Sequence, residues 1–574
     1  MASLMAIGSV LAQHDPIVQL STGALRGQTC NTSPATSFLG IPYAQPPTGE
    51  LRFMPPQPLS LNTSQAGVVF EATHVAPPCI QWGSEFDVEN PTPSEDCLYL
   101  NVYVPPDTTN TSSLPVKVWA YGGGNIGGAA SYPLYDACSL ATDAIVVTFN
   151  YRLGPLGFLA LDSAGIQGNM AIQDYLAALS WVKENIVSFG GNSSQVLLLG
   201  QSAGADDAFV VSTLPEAKSL ISAAIFESGG GQDIVPYDIA QLSGSSFAET
   251  LNCSTNDLIC LQSKSADELI QAFQTTPALA PGFGNGLSVG SNFAINTPNT
   301  TSLSGTVLDG EIIKKQPLEV GSQVPIIAGS NEFDATLFVL PIYLTSDQPL
   351  AEENYTSFLA QWGPASSAIS QQYPLSLFES AGSTTTEAVV AAITHIVTQS
   401  SYTCSTYKAL RAASAAGTQA YAYRFNHTPS CPWLWESGTA FPSPDVADFF
   451  LSTHTAELPF VFGNLVNQPW GNGSCNATAA EFALSHALTA AWTAMAVRGN
   501  PSVEGQSWPL FDACQTRGLW FQESGETTQL DFSECEFWDE VFADLGGVNM
   551  SWPDANCAAN STTGGSKCSS KGRI

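Results

Sequence analysis

Basic residues are scarce in this sequence. Its 574 residues include 17 Lys and Arg against 50 Asp and Glu, a formal net charge of −33 at pH 7. Nucleic-acid binding needs a basic surface, and anionic membranes repel a charge of this sign, so neither partner is expected. Charged residues make up only 12% of the chain and hydrophobic residues 44%, which excludes an intrinsically disordered protein.

Three further absences narrow the fold and the chemistry. No apolar run reaches the roughly 20 residues of a transmembrane helix, so no integral membrane segment is expected. No internal repeat of about 20–50 residues is visible, which argues against a solenoid or a propeller. No spacing of His and Cys is typical of a metal site, and we predict neither a metal nor a cofactor.

Cysteine, by contrast, is plentiful. Thirteen cysteines are typical of a protein from an oxidising compartment. Residues 1–12 are apolar and end in Val10-Leu11-Ala12, which resembles the end of a secretory signal peptide, although no Lys or Arg precedes them. A structured or disordered N-terminus is the alternative. N-glycosylation sequons also support secretion, at Asn31, Asn62, Asn110, Asn192, Asn252, Asn299, Asn354, Asn426, Asn472, Asn476, Asn549 and Asn560.

Short apolar segments alternate with helical ones along the chain. Residues 116–121, 144–149, 196–199, 223–226, 325–328 and 421–425 are predicted strands, and residues 171–186 have the apolar spacing of a helix. This order predicts an α/β fold, with a large and mostly parallel central sheet and helices on both faces. At ~150 residues per domain the length suggests about four domains. No linker divides the chain, however, so we predict one domain over residues 13–557 and a flexible tail over residues 558–574.

A nucleophilic serine is indicated by Gly200-Gln201-Ser202-Ala203-Gly204, directly after the apolar segment 196–199. A G-x-S-x-G sequence between a strand and a helix is typical of a nucleophile elbow, which exposes the serine hydroxyl above the sheet. The pentapeptide also occurs by chance in ordinary turns. The preceding strand favours the functional interpretation, with Ser202 as the nucleophile.

A glycine-rich turn follows the predicted strand at residues 116–121. Backbone N–H groups of Gly123 and Gly124, together with that of Ala203, could stabilise the oxyanion formed in acyl transfer. Glycines allow such a close approach because they carry no side chain. A phosphate-binding loop is the alternative, but the spacing of a P-loop or a dinucleotide-binding motif is absent.

Several motifs in this order resemble the type-B carboxylesterase/lipase family, which includes cholinesterases and fungal lipases. The resemblance covers the chain from about residue 27 to the 540s and implies an α/β-hydrolase fold. The matching segments are residues 40–44, 51–53, 94–102, 150–154, 168–169, 181–186 and 189–192.

A serine nucleophile needs a base and an acid, and the expected chain order is Ser, acid, His. Of the six histidines, His454 lies in a segment that resembles the one around the family's base. The family's acid stands five residues after the glycine of a segment like residues 325–329. That position is Asp334, where the family usually has Glu. Glu332 is the alternative acid.

The resemblance also implies roles for residues around the triad. The residue before the nucleophile is often Glu in the family and is Gln201 here, which makes a choline-ester preference less expected. Ser228 is similar to a buried serine that hydrogen-bonds behind the triad. The family's disulfides would pair Cys79 with Cys97 and Cys253 with Cys260. Nine cysteines remain open, and because that number is odd at least one should be free or intermolecular.

The resemblance therefore implies a secreted serine carboxylesterase acting on a small-molecule ester through Ser202, His454 and Asp334. The loop at residues 80–96 is short and acidic, unlike the long amphipathic lid of the family's lipases, and this favours an esterase. A lipase or sterol esterase with the same machinery is the first alternative. A non-catalytic recognition protein is the second, although no triad member is missing. The oligomeric state stays open.

Overall fold

The fold is described from a computed structural model of the chain. The structure describes residues 16–550 apart from 60–68, 84–86, 89, 277–301, 346–348, 380–382, 437–438, 442–449, 466–474, 476 and 523–524. The predicted signal-peptide remnant at residues 1–12 and the predicted tail at residues 558–574 lie outside this part.

Strands and helices alternate along most of the described chain. The strands are β1 (Ile17–Leu20), β2 (Gly23–Arg26), β3 (Gln28–Thr29), β4 (Thr36–Pro42), β5 (Val69–Glu71), β6 (Tyr99–Val104), β7 (Leu114–Ala120), β8 (Ile145–Phe149), β9 (Ala160–Leu161), β10 (Ile166–Gln167), β11 (Gly191–Gln201), β12 (Ala223–Glu227), β13 (Ile326–Asn331), β14 (Ala420–Phe425), β15 (Leu434–Glu436), β16 (Thr439–Phe441), β17 (Arg517–Phe521) and β18 (Gly525–Gln529). The α-helices are α1 (Gly154–Phe158), α2 (Met170–Asn185), α3 (Ala203–Thr213), α4 (Ala217–Leu220), α5 (Tyr237–Thr250), α6 (Leu258–Ser263), α7 (Ala266–Thr275), α8 (Pro317–Val320), α9 (Thr336–Thr345), α10 (Glu352–Ala360), α11 (Ser366–Gln372), α12 (Thr385–Val397), α13 (Cys404–Ala415), α14 (Leu458–Phe462), α15 (Ala479–Arg498) and α16 (Cys535–Asp544).

Eleven strands form the central sheet, in the order β18-β17-β14-β13-β12-β11-β7-β8-β6-β4-β3. The six pairings from β8 through to β17 are parallel, and the four at the two ends are antiparallel. The predicted mostly parallel sheet is therefore confirmed, with antiparallel additions at both edges. Every predicted strand segment overlaps a strand of this sheet, and the predicted helix at residues 171–186 corresponds to α2.

The middle strands are apolar along their whole length because helices cover both faces of the sheet. All five residues of β8 and all five of β12 are buried. Helices α3 and α15 both pack against β11, the strand that leads to Ser202. The core thus fixes the strand ends from which the candidate active site is built.

The carboxyl ends of three neighbouring parallel strands meet at one edge of the sheet. Ser202 follows β11, Ser228 follows β12, and Asn331 is the last residue of β13. Ligand sites of open α/β sheets form at this edge because the loops after successive strands diverge there.

Five disulfides cross-link the described chain. Two join the pairs implied by the family resemblance, Cys79–Cys97 and Cys253–Cys260. The other three join cysteines whose pairing the sequence left open, and Cys514 is disulfide-bonded as well. These three disulfides are Cys30–Cys138, Cys404–Cys535 and Cys431–Cys475.

Within the described residues, no helix has the length and apolar character needed to cross a bilayer. In the same residues, no group of three or more His, Cys, Asp and Glu side chains is arranged to hold a metal ion.

Candidate active site

Ser202 lies at a sharp turn between β11 and α3. Its φ of 55° and ψ of −131° are strained for a residue with a side chain. Its N–H donates to the carbonyl of Glu227 at 2.9 Å, which ties the turn to the neighbouring strand. A Cβ on Gly204 would lie 2.3 Å from the carbonyl oxygen of Ala120, so only glycine fits there. These are the features of a nucleophile elbow, with the Ser202 side chain half-buried at its tip.

The glycine turn after β7 lies directly against Ser202. A Cβ on Gly122 would be 2.8 Å from the Cβ of Ser202. Gly123 and Gly124 have φ of 119° and 63°, and in the described residues neither N–H donates a hydrogen bond. Ala203 is the first residue of α3, where N–H groups have no partner within the helix. Three N–H donors predicted from sequence thus lie beside the serine without a partner of their own.

His454 and Asp334 form a buried pair. The imidazole Nδ1 is 2.9 Å from the Oδ1 of Asp334, and the side chains are 2% and 0% exposed. The N–H of His454 also donates to the carbonyl of Asp334 at 3.1 Å. A carboxylate on Nδ1 fixes the tautomer in which Nε2 is free to accept a proton.

The second carboxylate oxygen of Asp334 accepts two hydrogen bonds. The N–H of Asn331 donates at 2.7 Å and the hydroxyl of Ser228 at 3.0 Å. Ser228 therefore lies behind the pair, as the resemblance implied. Glu332, the alternative acid, instead accepts from Arg424 at 3.2 Å and is partly exposed.

The remaining histidines of the described chain lie away from this pair. His395 is paired with Glu534 at 3.0 Å and His427 with Glu481 at 3.3 Å. His486 is exposed on α15, and His74 is exposed after β5. Among the described histidines, only His454 contacts Asp334.

Gln201 occupies the space beside the free imidazole nitrogen. Its Nε2 lies 3.0 Å from Nε2 of His454, and the residue is 1% exposed. Since Nδ1–H donates to Asp334, Nε2 is the acceptor and the amide of Gln201 is the donor. The neutral amide thus holds the imidazole nitrogen that a serine hydroxyl would otherwise contact.

A second buried layer of carboxyl groups was not anticipated from the sequence. Glu457 accepts a hydrogen bond from the side chain of Asn331, and Glu227 accepts one from Trp492 at 2.9 Å. Each carboxyl has one buried oxygen without a partner. Burial raises the pKa of Glu227 to about 8, and it raises the pKa of Glu457 together with repulsion from Glu227 and Asp334. The three-residue spacing from His454 to Glu457 is the signal that could have revealed it.

Aromatic side chains pack on the imidazole from one side. The rings of Tyr402 and Phe338 lie 4.9 and 5.1 Å from that of His454. Tyr402 belongs to a π-helical turn at Thr398–Thr403, a distortion often found at functional sites. No sequence motif marked these residues, because nothing in an aromatic residue on a helix specifies its partner.

Comparison with known proteins assigns the chain to a family. Residues 14–538 match the model of the carboxylesterase family. The chain is 31% identical to a para-nitrobenzyl esterase of Bacillus subtilis, with 92% of this chain and 99% of that protein covered. It is 30% identical to a liver carboxylesterase of Sus scrofa (92% and 93% covered) and 29% identical to a cholinesterase of Mus musculus (96% and 91% covered).

Solved structures agree with the sequence comparison. A para-nitrobenzyl esterase superposes with a TM-score of 0.71 at 28% identity, covering 92% of this chain and all of the other. A carboxylesterase of Geobacillus stearothermophilus superposes equally well, covering 91% and 99%. The central sheet with its surrounding helices is thus the α/β-hydrolase fold that the sequence predicted. The chain belongs to the carboxylesterase family and is a carboxylic ester hydrolase.

Proposed function

We propose that the chain cleaves carboxylic esters through an acyl-enzyme, with Ser202 as nucleophile, His454 as base and Asp334 as the orienting acid. The observation that carries this proposal is the buried His454–Asp334 pair, 2.9 Å between Nδ1 and Oδ1, beside a serine at a strained elbow. Asp334 is preferred to Glu332 because the latter is engaged with Arg424.

The chemistry follows from these positions. The Oγ of Ser202 attacks the ester carbonyl carbon while Nε2 of His454 takes the hydroxyl proton. Asp334 stabilises the imidazolium that results. The N–H groups of Gly123, Gly124 and Ala203 donate to the oxyanion. The intermediate expels the alcohol, which receives the proton from Nε2, and a water molecule then releases the acid by the same steps.

Gln201 must yield its position for this reaction to start. Its amide occupies the lone pair of Nε2 that has to accept the proton of Ser202. We infer that substrate binding displaces this contact and lets the hydroxyl of Ser202 replace it.

Covalent labelling tests the proposed nucleophile. A fluorophosphonate should modify the wild-type chain once, on the peptide that contains Ser202. Ser202→Ala should abolish labelling and the hydrolysis of p-nitrophenyl butyrate, and Asn31→Gln, far from the site, should leave both intact. The proposal fails if wild-type protein neither reacts nor hydrolyses any ester, the result expected of a non-catalytic recognition protein.

A soluble short-chain ester is the proposed substrate type. The disulfide Cys79–Cys97 closes the loop at residues 80–96, and the described residues Ile80 and Trp82 are buried within it. Trp82 packs on Phe273 with ring centroids 5.4 Å apart. A loop anchored in this way is poorly suited to opening as an interfacial lid. A rise in rate when a long-chain ester passes its solubility limit would favour the lipase or sterol esterase alternative.

We also propose that the protein is a secreted glycoprotein with one catalytic domain over residues 13–557. The five disulfides between described residues are compatible with an extracellular protein. The sequon residues Asn31, Asn110, Asn252 and Asn549 are exposed. Expression in a eukaryotic secretory host, followed by an N-terminal sequence and a mass shift on deglycosylation, tests the proposal. An unglycosylated product retained in the cell would contradict it.

A further inference from the structure

Two adjacent aspartates follow the candidate nucleophile on the first turn of α3, and they differ in surroundings. The N–H of Asp206 donates to the carbonyl of Ser202 at 3.0 Å, so Asp206 lies one helical turn from it. Asp207 is 1% exposed and accepts a hydrogen bond from Thr306 at 2.8 Å. Asp206 is only half-buried. One carboxyl group is thus locked inside the protein, while the other borders accessible space.

The carboxyl group of Asp206 is fixed from one side only. Its Oδ1 accepts from the N–H of Gly230 at 2.6 Å. The residue before, Gly229, lies so close to Ser202 that a Cβ there would be 2.4 Å from the serine carbonyl. Within the described chain, Oδ2 of Asp206 has neither a hydrogen bond nor a cationic partner. The carboxyl group is therefore held against the wall beside Ser202 with one oxygen available.

Tyr402 connects this carboxyl group to the other side of the site. Burial and the negative charges of Asp334 and Asp206 together raise the pKa of Tyr402. Its ring packs on His454 at 4.9 Å. Asp206 and Tyr402 thus lie close to Ser202 and His454 respectively, and among the described residues no cationic side chain pairs with Asp206.

The alcohol group and the acyl group of a bound ester must extend from Ser202 in different directions. The alcohol oxygen has to reach Nε2 of His454, which is the atom beside Gln201. The acyl substituent occupies the remaining side. There the backbone of Gly229 lies against that of Ser202, and Gly230 holds the carboxyl group of Asp206.

We propose that Asp206 is a specificity-determining residue on the acyl side, which selects esters whose acyl group carries a positive charge and rejects those with an acyl carboxylate. The inference rests on the proposed function, because it needs an acyl group on Ser202. It goes beyond that function by giving the acyl group a charge.

Three matched esters test the proposal. They are p-nitrophenyl esters of valerate with a terminal trimethylammonium, of its uncharged tert-butyl isostere, and of the adipate monoester. Burial raises the pKa of Asp206 to about 7, so the assays are run at about pH 9, where the carboxyl group is ionised. Wild-type kcat/KM should be about tenfold higher for the cationic ester than for its neutral isostere, and about tenfold lower for the anionic one.

Asp206→Asn should bring the three values of kcat/KM within about threefold of each other. The amide oxygen can still accept from Gly230, so the fold is conserved. Asp207→Asn is the matched control, since it removes the same charge one residue further along, inside the protein. It should keep the wild-type discrimination.

The wild-type enzyme offers a test without any substitution. Discrimination between the cationic and the neutral ester should fall as the pH drops through about 7, as Asp206 takes up a proton. The titratable groups that face it are Asp207 and Tyr402, with His454 beyond the phenol. The neutral ester corrects for the titration of the base, because both esters need the same His454.

Three outcomes would overturn the proposal. The first is equal discrimination in wild type and Asp206→Asn. The second is an equal loss of discrimination between the esters in Asp206→Asn and Asp207→Asn, which would trace the effect to overall charge. The third is a larger loss of kcat/KM in Asp206→Asn for choline esters than for their tert-butyl isosteres, which would place the charge on the alcohol side. Hydrolysis of the neutral ester in all these cases would leave the proposed function intact.

Discussion

The oxyanion side of Ser202 and the side that carries Asp334 and His454 are built differently. On the first side, backbone packs on backbone: a Cβ on Gly123 would lie 2.3 Å from the carbonyl oxygen of Gly127. On the second side, polar side chains hold two loops together, since Asn331 donates both to the carbonyl of Thr453 and to Glu457.

The difference teaches how each side tolerates change. A site positioned by close backbone packing has no room for a substituent, so any side chain at its glycines displaces the N–H donors. A hydrogen-bonded site tolerates substituents of the same shape but loses stability when a buried partner is left unpaired. Substitutions on the two sides should therefore differ in kind as well as in size.

The largest effect is expected on the side that carries Asp334 and His454, from a substitution of the acid Asp334. Asp334→Asn should lower kcat about ten-thousandfold, because the amide cannot stabilise the imidazolium or enforce its tautomer. Steady-state kinetics with p-nitrophenyl butyrate measure this. The control is Glu332→Gln, which should stay within about threefold of wild type. A large loss in the control instead would make Glu332 the acid.

The next effect is expected on the oxyanion side. Gly123→Ala should lower kcat about a hundred- to a thousandfold with KM little changed, because the new Cβ would displace one N–H donor. The control is Gly165→Ala, at a glycine with φ of 75° and no atom within 4 Å of a Cβ. It should lower stability by about 1 kcal/mol and spare kcat. Equal losses in the two variants would mean that positive φ, and not close packing, governs this side.

The third prediction concerns the buried carboxyl groups of Glu227 and Glu457. Burial raises the pKa of Glu227 to about 8, against about 4.3 in an unfolded chain. Between these values the folded protein holds a proton that the unfolded chain releases, so stability falls as pH rises through this window. Glu227→Gln stays neutral and should flatten the dependence of the unfolding free energy on pH by up to about 1.4 kcal/mol per pH unit.

Urea unfolding at several pH values between about 5 and 8 gives that slope. Glu184→Gln, an exposed change of equal charge on α2, is the control. An unchanged slope in Glu227→Gln would mean that Glu227 is ionised in the folded protein.

The smallest effect is expected at the residue that touches both sides. The Oε1 of Gln201 would lie 2.9 Å from a Cβ on Gly122, and its Nε2 is 3.0 Å from that of His454. Gln201→Glu places a carboxylate at the imidazole and favours its charged form, so the acidic limb of kcat/KM should move up by about one pH unit. Gln201→Met, of similar size and uncharged, is the control. An unmoved limb in Gln201→Glu would show that the contact does not form in solution.

The sequence predicted the oxyanion side more completely than the side that carries Asp334 and His454. Ser202, Gly123 and Gly124 stand in local motifs, whose meaning depends on residues next to them in the chain. The strands of the sheet were predictable as well, because strands buried on both faces are apolar throughout. Asp334 and His454 needed the family resemblance, since spacing along a chain does not bring two loops together.

Glu227, Glu457 and Tyr402 could not be predicted in the same way. Their roles depend on contacts between segments far apart in the chain, such as the packing of Tyr402 on His454. The pairing of Cys30, Cys404 and Cys431 with their partners was open for the same reason. Alternatives of equal chemical plausibility multiply with the number of cysteines, and only the fold selects among them.

The disulfides fall into two groups along the chain, and each group belongs to one of these two sides. All six cysteines up to residue 260 pair among themselves, through Cys30–Cys138, Cys79–Cys97 and Cys253–Cys260. Ser202 and the three N–H donors therefore belong to one covalent unit, and Asp334 and His454 to the other. A single proteolytic cut between residues 261 and 325 would leave two fragments held together only by non-covalent contacts, among them the pairing of β12 with β13 and the packing of α15 on β7 and β11. Denaturant alone, without a reductant, would separate them, and their recombination would be a split-enzyme complementation in which neither fragment holds a complete triad.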